Sequence, residues 1–261
     1  MGNLMKMELR RLFMSKLFYG LMATVALLNI IFQVLPAIFM HFFVPNEPPH
    51  VVHYSDFFAH PFTLTFLIVM MIISVVSFTY ADIAHGYIKN IAGQVPNKSI
   101  IVYAKFIVTG VHNCIFMLVS ALSGLLGAVI ISAIGFSRLE MDGLMGQAML
   151  TFLIKWMLSM AICSILLFFT MAVKNKTLAT VIGVLLGTGA LGMVYFGLNT
   201  AVNNIFHIDD FSVDSYVPDQ LINSVNVGTN VAVINAIITA VVCTALFLAL
   251  TVKVFNSRDV K

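Results

Sequence analysis

Residues Asp82 to Lys105 read DIAHGYIKNIAGQVPNKSIIVYAK, a polar and basic stretch between two long apolar runs. Gly93-x-x-x-x-Lys98-Ser99 within it resembles part of a phosphate-binding loop. A Walker motif needs glycine directly before the lysine and a strand ahead of it, so that backbone N–H groups can cradle phosphate. Pro96 and Asn97 stand there instead. Nucleotide binding by this chain is therefore excluded as an expectation, and any ATP chemistry belongs to another polypeptide. His41, His50, His53 and His60 lie around one loop and are of the right type for Zn or Cu. That loop carries Pro45, Pro48, Pro49 and Pro61, and no accompanying cysteine or carboxylate pattern, so ordinary interfacial histidines are the stronger expectation. There is no Gly-x-Ser-x-Gly elbow, no His-Glu-x-x-His and no paired intramembrane aspartate. An enzyme is not expected.

Other polar groups sit inside apolar runs: Asn29, Gln33, His112, Asn113, Lys155 and Asn235. An ionisable group at membrane depth is costly and hence a candidate for function. Lys155 lies about two turns from an outer end, within snorkelling reach of the interface or of an outer carboxylate. His112 and Asn113 are candidates to hydrogen-bond between helices or to line a path. Gly183-x-x-x-Gly187-x-Gly189-x-x-Gly192 permits close helix approach, at a subunit interface or in internal packing alike. Cys114, Cys163 and Cys243 fall in apolar runs without metal spacing, and read as small apolar side chains.

The elements that must position these residues follow from composition. Of 261 residues, 60% are hydrophobic and 10% charged, with mean hydropathy +1.00. Spanning a core of roughly 30 Å takes about 20 helical residues. Six segments qualify, near Leu17–Met40, Phe62–Tyr80, Phe106–Ile134, Met149–Val173, Thr177–Leu198 and Val231–Phe255. Their apolar runs lack period-two alternation, so helices and not barrel strands are expected. One all-α membrane domain results, with a minimal hairpin at Lys174-Asn175-Lys176 and a partly ordered outer loop over 199–230.

Charge orients this arrangement. Twelve of the fourteen basic residues flank one set of span ends, from Lys6, Arg10, Arg11 and Lys16 to Lys253, Arg258 and Lys261. The opposite loops hold Arg138 among Glu47, Asp56, Glu140, Asp142, Asp209, Asp210, Asp214 and Asp219. The positive-inside rule puts both termini in the cytoplasm. The net charge of +3 comes from these flanks and gives no reason to expect nucleic acid. The first run is span-length without a small-residue cleavage site, so no cleaved signal peptide is expected.

Two segments have helical periodicity on the basic side. Met5, Leu9, Leu12 and Phe13 share a face in Met1–Lys16, which predicts an amphipathic helix lying in the interface. Ile83, Tyr87, Ile88, Ile91 and Val95 form a stripe in the loop after span two, broken by Pro96, with Ser99 placed to cap the next helix.

Six spans, an amphipathic N-terminal helix and that loop together resemble the membrane permease of type-2 ABC exporters. The family's loop reads acidic-x-x-x-Gly-Thr-Ile-Lys-Asn-hydrophobic, with a lysine opening span three. Asp82, Gly86, Tyr87, Ile88, Lys89, Asn90, Ile91 and Lys105 stand in those places, with Asp82 for the commoner Glu and Tyr87 for the commoner Thr. The resemblance covers the topology of the whole chain, but specific residues only in this loop. It implies a bacterial cytoplasmic-membrane protein that pairs with a second permease, identical or homologous. Asp82, Ile83, Gly86, Tyr87, Ile88, Lys89, Asn90 and Ile91 would dock a cytoplasmic ATPase dimer carrying ATP and Mg. It also implies export of a hydrophobic or cationic peptide or similar amphipathic compound, for toxin export or immunity to antimicrobial peptides. The rival reading is a non-transporting receptor, sensor or anchoring subunit that holds a soluble partner through the same loop.

Overall fold

A computed structural model describes residues 2–43, 50–62, 65–88, 95, 97–206, 212–229 and 232–257. The chain opens with α1 (Gly2–Met14) and α2 (Lys16–Phe43), separated only by Ser15. A short strand β1 (His50–His53) and helix α3 (Tyr54–Ala59) lead to α4 (Thr65–Ala84). Next come α5 (Ser99–Ala133), strand β2 (Ser137–Glu140) and α6 (Met145–Leu167), which runs on as a π-helical turn over Phe168–Ala172. Helices α7 (Lys176–Gly187), α8 (Gly192–Phe206), α9 (Pro218–Ser224) and α10 (Val233–Ser257) complete it.

This is an all-α multi-pass membrane architecture. Five helices are long and apolar enough to cross a bilayer: α2, α4, α5, α6 with its π turn, and α10. The sixth span is expected as one helix over Thr177–Leu198, but the chain there is two helices, α7 and α8, bent by 71°. Glycine supplies the reason. Gly189 adopts φ +69°, a left-handed conformation that stops a helix at little steric cost, and the pattern of small residues leaves few side chains to prop the turn.

Two further boundaries differ from expectation. Helix α5 begins at Ser99, about two turns before the apolar run, which takes Lys105 inside the helix. Its first turn is held by Asn97, whose Oδ1 accepts the Ser99 N–H at 3.1 Å and also the Ser99 hydroxyl. Asn97 thus forms an Asx turn leading into the helix, whose N-cap position is Lys98, and Ser99 does not cap it as expected. At the hairpin after α6, Asn175 caps α7 by accepting the Leu178 N–H at 3.0 Å.

The core divides along the bundle. A large cluster joins α2, α4, α5 and α6 through residues such as Val25, Ile68, Ile72, Val108, Phe116, Leu158 and Leu166. A smaller one, containing Ile88, Ile101, Val102, Leu167, Met171 and Phe255, gathers the end where α4 stops, α5 starts and α10 finishes. Asn29 of α2 donates to the Ser120 carbonyl at 2.8 Å, while Gln33 packs on Gly124 and Gly127 of α5. At the opposite end β1 and β2 pair in parallel, with His53 beside Glu140, and Ser55 donates to Asp142. That end closes over α6. Further along, Tyr195 of α8 donates to Asp219 of α9 at 3.1 Å, and Asn199 to Asp214 at 3.3 Å.

Candidate functional site

Four charged side chains from three helices meet where the loop after α4 begins and ends. Glu8 and Arg11 stand one turn apart on α1, 3.3 Å from each other. Asp82 is on the last turn of α4, and Lys105 on the second turn of α5. Lys105 Nζ donates to Glu8 Oε2 at 2.7 Å and to Asp82. Arg11 donates to Asp82 as well as to Glu8. Glu8, Asp82 and Lys105 are each 2% exposed, and only Arg11 reaches the surface, with 30% of its side chain exposed.

The cluster is electrically neutral, with two cations and two carboxylates, and each carboxylate touches both cations. That matters because removing an ion from water costs several kcal/mol, which only close, multiply bonded partners offset. Aromatic faces finish the enclosure: the Phe78 ring centre lies 4.1 Å from Lys105 Nζ, and Tyr87 lies 4.3 Å from the Arg11 guanidinium carbon. Burial pulls the Arg11 basicity down, but its bonds to Asp82 and Glu8 outweigh this and leave it raised.

The local sequence explains how each group arrives. Leu4, Glu8 and Leu12 recur every four residues, so the side of α1 that packs inward carries a carboxylate in its middle. The expected apolar face divides: Phe13 is 43% exposed, as a lipid-facing residue would be, whereas Leu12 is buried in the bundle with Glu8, and Leu9 packs against the same core. Helix α1 packs on α5 because Lys105 gives Glu8 a partner. Beyond Asp82, Gly86 turns the chain at φ +67°, its N–H donating to the Ile83 carbonyl at 3.1 Å.

The residues expected to dock a soluble partner divide. Asp82 is spent inside the cluster. Ile88 is 7% exposed and packs with Ile101, Val102 and Phe255, with Ile83 and Tyr87 against the same group. Their apolar stripe therefore attaches the loop to its own bundle, and the role of a buried contact for a partner does not fit Ile88 in this arrangement. Gly86 is half-buried and forms the turn, with Ala84 and His85 exposed just before it. Lys89, Asn90 and Ile91, with Gly93 and Pro96, lie outside the described residues.

The in-span polar groups are tied between helices. His112 Nε2 is 2.7 Å from Ser74 Oγ of α4, and its Nδ1 is 3.3 Å from Asn113 Oδ1. Asn113 in turn donates to Ser159 and Cys163 of α6, at 3.3 and 3.0 Å. Together they connect α4, α5 and α6 through buried hydrogen bonds. Lys155 is buried and reaches His60 Nδ1 at 3.4 Å, not an outer carboxylate among the described residues. Gly183 and Gly187 meet α4: an added Cβ would lie 2.4 Å from Ile72 Cγ2 at Gly183, and 2.7 Å from Ile72 Cδ1 at Gly187. They serve packing within the chain. Among the described residues, no three His, Cys, Asp or Glu side chains form a group that could hold a metal ion.

Glu8 and Arg11 are the functional candidates that sequence reasoning missed. A signal existed: Glu8 is the only acidic residue before Glu47, and Asp82 the only one between Asp56 and Glu140. Lone carboxylates on a strongly basic side call for cationic partners. No protein-family model matches the chain, and no curated protein or solved structure matches it either.

Proposed function

We propose that this chain is the transmembrane subunit of an ATP-driven ABC exporter in the bacterial cytoplasmic membrane, with both termini inside. The observation that carries the reading is the buried cluster of Glu8, Arg11, Asp82 and Lys105. It sits at both feet of the loop that the family resemblance makes the receiver of force, and it binds that loop to three helices. A push on residues 83–98 moves the ends of α1, α4 and α5 together, because separating them would strand a buried charge. A loop joined only by flexible backbone would absorb the same push. In this role Asp82 and Lys105 position the loop. The turn at Gly86, with the exposed Ala84 and His85 beside it, meets the ATPase.

The chain works with a second permease, identical or homologous, and with an ATPase dimer that holds ATP and Mg. Its cargo is a hydrophobic or cationic peptide, or a comparable amphipathic compound, exported as a toxin or expelled as an immunity measure. The apolar, Met- and Phe-rich spans and the short outer segments favour such cargo over large polymers.

Affinity purification from native membrane tests the reading. An ATPase should accompany the wild-type chain and gain turnover in its presence. Gly86→Pro should abolish that gain, since proline cannot adopt φ +67° and removes the N–H bonded to Ile83. Gly86→Asn should retain it, because asparagine tolerates the left-handed region and an added Cβ meets nothing within 4 Å. Equal stimulation by the wild-type and Gly86→Pro chains would sink the docking role. Recovery of a kinase or assembly factor without any ATPase would favour a receptor or anchoring subunit instead.

A further inference from the structure

Beside the charge cluster, α1, the start of α2 and the C-terminal half of α4 enclose a cleft of about 290 Å³. Its lining changes character along its length. Arg11 and Ser15 are at the α1 side, Phe18 and Phe78 form walls, and Ser74 and Ser77 lie further along α4. Ser74 is already bonded to His112, so the polarity of that part is satisfied internally. No acidic residue lines the cleft. Lys6, Arg10 and Lys16 are exposed on the adjoining segment, and none has an ion pair among the described residues.

We propose that this cleft binds an anionic phospholipid of the leaflet in which α1 lies. Its phosphate sits beside Arg11 and Ser15, and part of one acyl chain runs between Phe18 and Phe78. Three observations favour that occupant. The cleft lies beside a membrane-spanning helix where it meets the interfacial one, where lipid is the most abundant amphipathic molecule. Its only charged lining group is Arg11, whose carboxylate partners Glu8 and Asp82 lie off the lining, serines stand towards both ends, and the walls are aromatic. The exposed basic residues nearby raise the local concentration of anionic heads. A cationic peptide fits poorly beside Arg11, so this is a site distinct from the proposed cargo route. A lipid seated here would brace α1 against α4 and so hold the charge cluster closed.

The test uses the full chain purified in mild detergent, with bound lipid counted by native mass spectrometry. Phosphatidylglycerol and phosphatidylcholine compete at equal concentration, with dodecanoate in a third arm. Phosphatidylglycerol should be retained about fivefold over phosphatidylcholine, the weight of one basic group near an anionic surface. It should also raise the unfolding temperature, which phosphatidylcholine should not. Ser77→Phe, which fills the cleft but leaves Lys6, Arg10 and Lys16 in place, should abolish both effects. Should that variant fail to accumulate, Ala81→Leu at the same wall repeats the measurement. Survival of the preference in the filled variant would assign it to surface charge alone and overturn the site. Equal retention of the two lipids would overturn it too. Stabilisation by dodecanoate matching that by phosphatidylglycerol would replace the phospholipid with a free fatty acid.

Discussion

Lys105 has two carboxylate partners and almost no water, so its removal is not a local loss. In Lys105→Met, Glu8 and Asp82 would share Arg11 alone at buried positions, a change expected to cost about 3–5 kcal/mol. Neutralising one carboxylate at the same time should restore part of it. Lys105→Met with Glu8→Gln is therefore expected to be more stable than the sum of the single effects, with a coupling of about 0.5–3 kcal/mol in detergent unfolding. Strict additivity would mean that the four groups do not act as a unit. At the other end of the bundle His60 answers to pH. Burial, then the neighbouring Lys155 charge, hold its pKa below the usual 6.5, against an opposing pull from Asp56. A depressed pKa stabilises the fold above the unfolded value, and that contribution disappears as pH falls. The unfolding temperature should drop from pH 7.5 towards pH 5, and His60→Gln should flatten the part due to this group.

Among the elements, the contact between α7 and α4 is the most sharply defined by sterics. Gly187→Ala would bring its Cβ to 2.7 Å from Ile72 Cδ1, and Gly183→Ala to 2.4 Å from Ile72 Cγ2 and 2.9 Å from Leu166 Cδ2. Each should destabilise by about 1–3 kcal/mol. Rescue should differ between them. Ile72→Val deletes Cδ1 but keeps a γ-methyl, so it should relieve Gly187→Ala and leave Gly183→Ala unrelieved. Thermal melts of the two double variants decide this, and equal rescue of both would mean α7 shifts as a body. The break after α7 has a different origin. Gly189 supplies backbone freedom, and a Cβ added there or at Gly192 would meet Gln220 Nε2 alone, at 3.8 Å, among the described residues. One glycine-rich string thus does two jobs: close approach at Gly183 and Gly187, then a 71° bend.

For the whole molecule, the distribution of charge predicts a side for every loop. Helix α6 separates Met141, which is 86% exposed, from Lys174 at the other end of the bundle. Met141→Cys should react with an impermeant maleimide on intact cells. Lys174→Cys should react only after the membrane is opened. The three native cysteines lie in span helices, so they contribute little background. Labelling in the reverse pattern would invert the molecule and take the proposed ATPase surface away from ATP. The same end collects α1, the foot of α4, the start of α5, the π turn and the end of α10 around the smaller core. Movement at that end therefore reaches most of the spans at once.

Hydropathy and charge sufficed for much of this protein. Helical spans are legible because a bilayer core demands about 20 apolar residues with internally bonded backbone, a one-dimensional condition. The sidedness of the loops is a prediction of the same one-dimensional kind, since it depends on where Lys and Arg occur along the chain, and the maleimide labelling decides it. The polar pairing of His112 and Asn113 between helices was open to the same reading. What the tertiary structure decided is who meets whom across long separations. Glu8 finds Lys105 97 residues away, and Arg11 finds Asp82 71 residues away, so no local period announces either pair. The stripe of Ile83, Tyr87 and Ile88 was visible as a stripe, yet only packing could say that it faces its own bundle. The glycine string was visible too, but its division into contact and bend depends on Ile72 lying opposite. Asp82 was singled out by its place in a polar loop; its buried partners, which give it a physical task, are a property of the fold alone.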